Sequence, residues 1–254
     1  MKALITGASS GIGKEIAYYL SELGYETILV ATNKEKLEDV EKNLKTKSKI
    51  IVADLRYEEE VFKLYEKTKN ENIDILINNA GFGLFGDFVD TNLDRELEMI
   101  DLNVKAPHIL TKLFLRDFTK RNSGYILNVA SSAGFMAGPH LDTYYATKNY
   151  LLKLTLGIYE ELRSVGSKVS ISALCPGPVD TNFNDVARGY FTIKGADAEY
   201  VARYAIDKMF KHKTIIIPTI KMKLAIFLYR FVPTKLLLRI THKIQKRKTV
   251  KKAN

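Results

Sequence analysis

The sequence predicts an α/β protein: one doubly wound parallel sheet followed by a basic, amphipathic helical extension. Three observations predict it. Short apolar runs alternate with stretches of helical periodicity from Lys2 to Ile217. The first strand and first helix are joined by Thr6-Gly7-Ala8-Ser9-Ser10-Gly11-Ile12-Gly13, a glycine-rich turn in strand–turn–helix order. From Lys211 onward there are 13 Lys or Arg and no Asp or Glu, and the apolar residues there recur at helical spacing.

Taken in order, Lys2 to Ile5 is a buried strand and Lys14 to Leu20 carries the apolar spacing of a helix. Between them, glycines let the backbone turn sharply beside a pyrophosphate, and the helix N-terminus offers unpaired N–H groups to it. Glu26–Ala31 is a second strand, 34–44 an exposed helix, 48–53 a third strand, 58–69 a helix and 74–78 a fourth strand. A long helix is expected from Asp94 to Lys120, then a strand over 125–130 and a helix from about Thr143 to Val165. A strand ending at Cys175, a helix over 198–211 and a last strand over 214–217 complete the sheet. Right-handed crossovers join such strands, and ligands bind beyond their carboxyl ends. Residues 1–218 are thus expected to form the dinucleotide-binding catalytic domain and 219–254 a basic tail.

The 254 residues suffice for a large core, and a single cysteine excludes an internal disulfide framework. That cysteine, and a first strand that follows Met1-Lys2 directly, predict a cytoplasmic protein. The net charge of +10 is not spread evenly. Taking the tail's 13 from the 39 basic residues leaves 26 against 29 acidic ones in positions 1–210, a net of −3. The body therefore has no basic excess with which to grip nucleic acid, and no reader motif accompanies the tail. No metal-ligating cluster stands out.

After the second strand stands Ala31-Thr32-Asn33-Lys34, where an acid would accept both ribose hydroxyls of NAD and repel a 2′-phosphate. Its absence favours NADP over NAD. Further signatures follow in order: Asp54-Leu55, Asn78-Asn79-Ala80-Gly81, Tyr144-Tyr145-Ala146-Thr147-Lys148, and Pro176-Gly177-Pro178-Val179-Asp180-Thr181. With the glycine turn, they make residues 2–218 resemble a short-chain dehydrogenase/reductase. The resemblance implies a Rossmann fold, an NAD(P)-dependent oxidoreductase acting on a carbonyl or alcohol, and assembly as a homo-dimer or tetramer.

Tyr144 precedes Lys148 by four residues and shares its helix face, whereas Tyr145 is rotated to the other flank. A phenol near pKa 10 is a poor proton shuttle at neutral pH, and an adjacent lysine cation favours the phenolate. The resemblance makes Tyr144 the proton donor and Lys148 its partner and the holder of the nicotinamide ribose. It selects Ser131, thirteen positions before Tyr144, to bond the substrate oxygen, and Asn103 to hold a water on the proton relay. Carried over as cofactor contacts are Gly7, Ser9, Ser10, Gly11, Ile12, Gly13, Thr32, Asp54, Leu55, Asn79, Ala80, Gly81, Pro176, Gly177, Val179 and Thr181. Ser10 departs from the basic residue that many NADP-dependent members carry there.

The family's substrate lid falls at 182–191, and with Phe85, Phe135 and Met136 it offers an apolar, aromatic pocket suited to an acyl, steroid-like or small ketone. The competing assignment for these aromatics is core packing or a dimer contact. His140 is expected on a surface loop. The tail holds Met222 to Val232 and, beyond Pro233, Leu236, Ile240 and Ile244 at helical spacing among Lys and Arg. It suits either an anchor on an anionic membrane at the inner face of the cell or a helical pair covering the substrate mouth or a partner subunit. The rival function is a catalytically silent nucleotide-sensing scaffold; the intact Ser131, Tyr144 and Lys148 argue against it.

Overall fold

A computed structural model describes residues 1–181, 183, 189–190, 195–246 and 249–250. Lys2–Thr6 (β1), Glu26–Ala31 (β2) and Ser48–Val52 (β3) are joined by helices Gly11–Glu22 (α1) and Lys34–Glu41 (α2). Helix Glu58–Thr68 (α3) leads to Ile75–Asn78 (β4). Helices Leu93–Ile100 (α4) and Ala106–Lys120 (α5) precede Tyr125–Val129 (β5). Helix Asp142–Ser164 (α6), strand Ser170–Leu174 (β6), the short strand Gly189–Tyr190 (β7), helix Ala198–Phe210 (α7) and strand Ile215–Ile216 (β8) follow. The tail forms helices Ile220–Tyr229 (α8) and Thr234–Lys246 (α9) and the short strand Thr249–Val250 (β9).

Seven strands form one parallel sheet in the order β3-β2-β1-β4-β5-β6-β8. Its central strands are buried along their whole length, as a sheet covered on both faces requires. Alternate residues serve opposite layers: Ile5, Ile77 and Leu127 pack with α1 and α7, whereas Leu4, Leu76 and Ile126 pack with α3 and α5. The chain reverses its winding direction between β1 and β4, so their carboxyl ends flank a crevice. That crevice positions the site.

Two departures from the expected elements have local causes. The helix over 34–44 stops at Glu41. The helix expected over 94–120 is divided by a π-helical turn at Asp101–Lys105, where the Ala106 N–H reaches Asp101 O, five residues back. Such a turn admits one extra residue and re-aims side chains beside a site. Here it brings Asn103 inward, fully buried.

A polar ladder beneath the crevice was not legible in the sequence. Asn78 Nδ2 donates to Thr111 Oγ1 (3.0 Å) and to Asn128 Oδ1 (2.8 Å), and Asn128 Nδ2 donates to Thr155 Oγ1 (2.9 Å). It ties β4 and β5 to α5 and α6 just below the residues that line the cleft.

Candidate active site

The glycine turn is held by its neighbour strand. Thr6 Oγ1 donates to Ile77 O (3.2 Å) and accepts from the N–H groups of Asn79 (3.0 Å) and Ala80 (3.1 Å). Asn79 Nδ2 donates to the carbonyls of Thr6 (3.0 Å) and Gly7 (3.1 Å). The Asn79 side chain and the Ala80 N–H are therefore both engaged in joining the two strand ends. The glycines leave no room for side chains. A Cβ on Gly13 would stand 2.4 Å from Gly7 O, and one on Gly7 2.9 Å from Ala80 Cα, with Gly7 already in left-handed backbone (φ 65°). Gly11 shares that conformation (φ 53°) and faces the Thr181 methyl.

Ser10 is the N-cap of α1, yet its side chain accepts no bond from the first turn. The end of α1 thus keeps its positive dipole end and donors for an anion. This cradle, stripped of side chains and set at the sheet's reversal point, fits a dinucleotide pyrophosphate. At the adenosine end the fit changes in detail. Asn33 Oδ1 accepts from Lys36 N (2.8 Å), capping α2, and Lys34 pairs with Glu38 (3.3 Å), so the exposed Thr32 hydroxyl is the free group there. The Asp54 carboxylate is taken by Arg56, whose Nη2 approaches to 2.6 Å, and this bond holds its pKa below the usual value. Leu55 is buried beside it.

Across the crevice, the end of β5 and the start of α6 bring three expected side chains together. Ser131 caps the turn Ser132–Phe135 by accepting from Ala133 N (3.1 Å), and its hydroxyl lies near enough to the Tyr144 phenol to oppose part of the rise in that phenol's pKa. Burial pushes that phenol up to about 12. Lys148 lies one turn on, nearly fully buried, with Nζ 5.8 Å from the Tyr144 ring centre and donating to Val129 O (2.9 Å). Burial lowers its amine to about 8. One of its three N–H donors is used by Val129, and the nitrogen faces Gly81, where a Cβ would lie 3.4 Å away.

Asn103 joins this group through Phe82: its Oδ1 accepts from Phe82 N (3.1 Å), and its Nδ2 donates to Phe82 O (2.8 Å) and Thr147 Oγ1 (3.1 Å). It fastens the segment after Gly81 to α6.

Pro176 O accepts from Ser132 N (2.8 Å), linking the Pro-Gly segment to the serine turn. Val179 bridges to Ala196, and Thr181 Oγ1 accepts from Phe183 N (3.3 Å). Phe183 sets its ring 5.3 Å from that of Tyr144, close over Gly83. Of the other aromatics, Phe85 is buried and Phe135 packs against Ala130, Leu152 and Cys175, so both are packing residues. Met136 is half-buried. The lid residues 182, 184–188 and 191 lie outside those described. His140 is not a free surface residue: in left-handed backbone (φ 67°), its Nδ1 lies 2.5 Å from an Asp87 carboxylate oxygen, and its ring is 4.8 Å from that of His242.

His242 belongs to the tail, which supplies groups that sequence reasoning missed. Gln245 of α9, buried, donates to the Tyr145 hydroxyl (2.7 Å). Met222 of α8 fills the space over Gly177, where a Cβ would lie 2.6 Å from its Cε. Strand β9 pairs antiparallel with β7, matching Gly189 to Val250 and Tyr190 to Thr249. The inner faces of α8 and α9 thus roof the Tyr144 side of the crevice. Thr241 and Gln245, uncharged and four apart in a strongly basic helix, were the available signal.

Comparison with known proteins agrees with this architecture. The family model for short chain dehydrogenases matches residues 1–189. An uncharacterised oxidoreductase of Staphylococcus aureus is 36% identical over 182 residues, covering 70% of this chain and 78% of its own. A short-chain dehydrogenase from Sphingobium yanoikuyae, solved in complex with NADPH, superposes with a TM-score of 0.81 at 27% identity. That match covers 86% of this chain and 88% of the other. A bulky-bulky ketone specific alcohol dehydrogenase from Comamonas testosteroni superposes at 0.77 with 28% identity, over 90% and 91% of the two chains. The chain belongs to the short-chain dehydrogenase family and is an oxidoreductase of that family.

Proposed function

We propose that this short-chain dehydrogenase is an NADP(H)-dependent reductase of apolar ketones, in which Tyr144 donates a proton to the carbonyl oxygen. The observation that carries the reading is the Tyr144 phenol, set beside Ser131 and sharing a helix face with a buried lysine whose amine is near the cofactor crevice. A bound nicotinamide dinucleotide would supply the hydride. The chain's own groups handle the proton. At neutral pH the Tyr144 phenol, at about 12, holds the proton that reduction consumes. Ser131 donates to the same oxygen as negative charge builds on it. Lys148, charged below about 8, stabilises the phenolate left behind. Asn103 keeps the Gly81–Phe82 backbone in place and, in this reading, lines the path that returns a proton to Lys148.

The cofactor preference rests on the segment after β2. Ala31-Thr32-Asn33-Lys34 holds no acid to repel a 2′-phosphate, the first acid of α2 being Glu35, while the Thr32 hydroxyl can donate to one. The NADPH complex of the Sphingobium relative supports the same choice. An apolar ketone suits a cleft walled by Phe183 and Tyr145 and roofed by Met222, and the Comamonas relative's bulky ketones are of that class. The reading also includes a cytoplasmic homo-oligomer. Leu93, Leu97 and Ile100 form an exposed apolar row on α4 where a second copy could seat.

The test is NADPH and NADH oxidation against a panel of acyl, steroid-like and small ketones, with Tyr144→Phe alongside. Turnover with NADPH on at least one ketone, lost in Tyr144→Phe, is expected. Nucleotide binding without turnover on the whole panel would favour a silent nucleotide-sensing scaffold instead.

A further inference from the structure

The two tail helices have an inner face against the cleft and an outer face that no other described residue covers. On α8, Ile226 is buried against the body while Ile220, Leu224, Phe227 and Leu228 are exposed, as is Phe231 just past the end of the helix, Ile220 at 81% and Phe231 at 71%. At 3.6 residues per turn the four on the helix fall within an arc of about 100°. Lys221 flanks that arc on one side, and Lys223 and Arg230 on the other. On α9, Thr241 and Gln245 are buried, whereas Leu236, Ile240 and Ile244 form an exposed row. Lys235, Arg239 and Lys243 form a parallel row one residue behind it. A helix that is apolar on two faces has two partners to satisfy, and the body supplies one.

Charge identifies the other partner. Residues 211–254 hold 13 Lys or Arg and no acid, so a second copy brought onto this face would meet like charge. A surface that is apolar along its centre and anionic around it complements both rows. An anionic bilayer has that composition. No helix among the described residues is long and apolar enough to cross a membrane, so the contact would be with the bilayer surface.

We propose that the outer faces of α8 and α9 seat this protein on an anionic bilayer, with the roof of its substrate cleft at the lipid boundary. The same helices place Gln245 against Tyr145 and Met222 over Gly177, so a docked protein receives its substrate from the membrane phase. The docking stands independently of the proposed reductase activity; the delivery of an apolar ketone rests on it.

The experiment is sedimentation of the full chain with vesicles of phosphatidylcholine alone or mixed with phosphatidylglycerol. Binding about tenfold stronger to the mixed vesicles is expected, weakening as salt screens the surface charge. Phe231→Glu combined with Ile240→Glu changes exposed positions only. It should lower vesicle binding about tenfold while the melting temperature and NADPH affinity stay as in the unaltered chain. No vesicle binding at low salt would overturn the proposal, as would equal binding by the double variant. So would dimers in light scattering that the double variant abolishes, because the covered partner would then be a second copy. Vesicle binding without ketone turnover would support the docking and count against the reductase reading alone.

Discussion

The floor of the crevice and its roof are built on opposite plans. The floor, where β1 and β4 end, is held by backbone carbonyls and amides of both strands on Thr6 and Asn79, and a Cβ added to Gly7 or Gly13 would stand within 3 Å of neighbouring backbone. The roof is laid on from the tail, through a hydrogen bond from Gln245, the His140–His242 ring contact, Met222 over Gly177 and the short β7–β9 ladder. A floor of this kind accepts almost no substitution. A roof of this kind can change without disturbing the sheet. The difference separates recognition of a nucleotide from selection of a substrate, and measurements can break that separation.

The largest effect is expected where floor and roof meet. Tyr144→Phe should lower turnover by about 10³-fold with nucleotide affinity nearly unchanged, as steady-state rates and a fluorescence titration would reveal. Loss of turnover in Tyr145→Phe instead, with Tyr144→Phe active, would reverse the roles given to the two tyrosines. Next is the floor. Gly13→Ala, whose Cβ would press on Gly7 O at 2.4 Å, should cost about 3 kcal/mol of stability and most nucleotide binding. A normal melt and titration for this variant would mean that the turn has more room than its geometry allows.

Lys148 gives a prediction with two signs. Its amine, 10.5 in an open chain, is lowered to about 8 by burial. Between those values the unfolded chain binds more protons than the folded one, so this residue's contribution makes stability rise with pH across that window. Ketone reduction should move the other way, flat below pH 8 and falling above it as the cation beside Tyr144 is lost. Lys148→Met should be slow at every pH and lack that inflection.

Thr32→Asp should turn an NADPH preference into an NADH preference by about tenfold, read as the ratio of dissociation constants. Equal affinities in the unaltered chain would undo the argument from the missing acid. The smallest effect is in the roof. Gln245→Leu should raise KM for a ketone about fivefold and leave nucleotide affinity alone. If kcat falls as far as it does in Tyr144→Phe, the roof and the floor are not separable.

Much of this was determined locally. Alternation of apolar runs with helical periods specified which segments are strands of a parallel sheet, because a strand buried on both faces is mostly apolar, as in Ile75–Asn78 and Ser170–Leu174. The glycine turn was legible because left-handed backbone and close backbone approach restrict the residue type at one position. The four-residue spacing put Tyr144 and Lys148 on one helix face before any tertiary contact was known. Other assignments waited for contacts between distant segments. The Asn79 side chain turned out to reach Thr6 and Gly7, more than seventy residues away, and Arg56 to occupy the Asp54 carboxylate. Aromatics such as Phe85 and Phe135 read equally well as pocket or core until burial assigned them to packing. The tail's helices were visible in its periodicity, but which face turned inward was not, since α8 is apolar on both. Only docking against the body made Gln245 and Met222 parts of the cleft, because a side chain's partner depends on what packing brings opposite it.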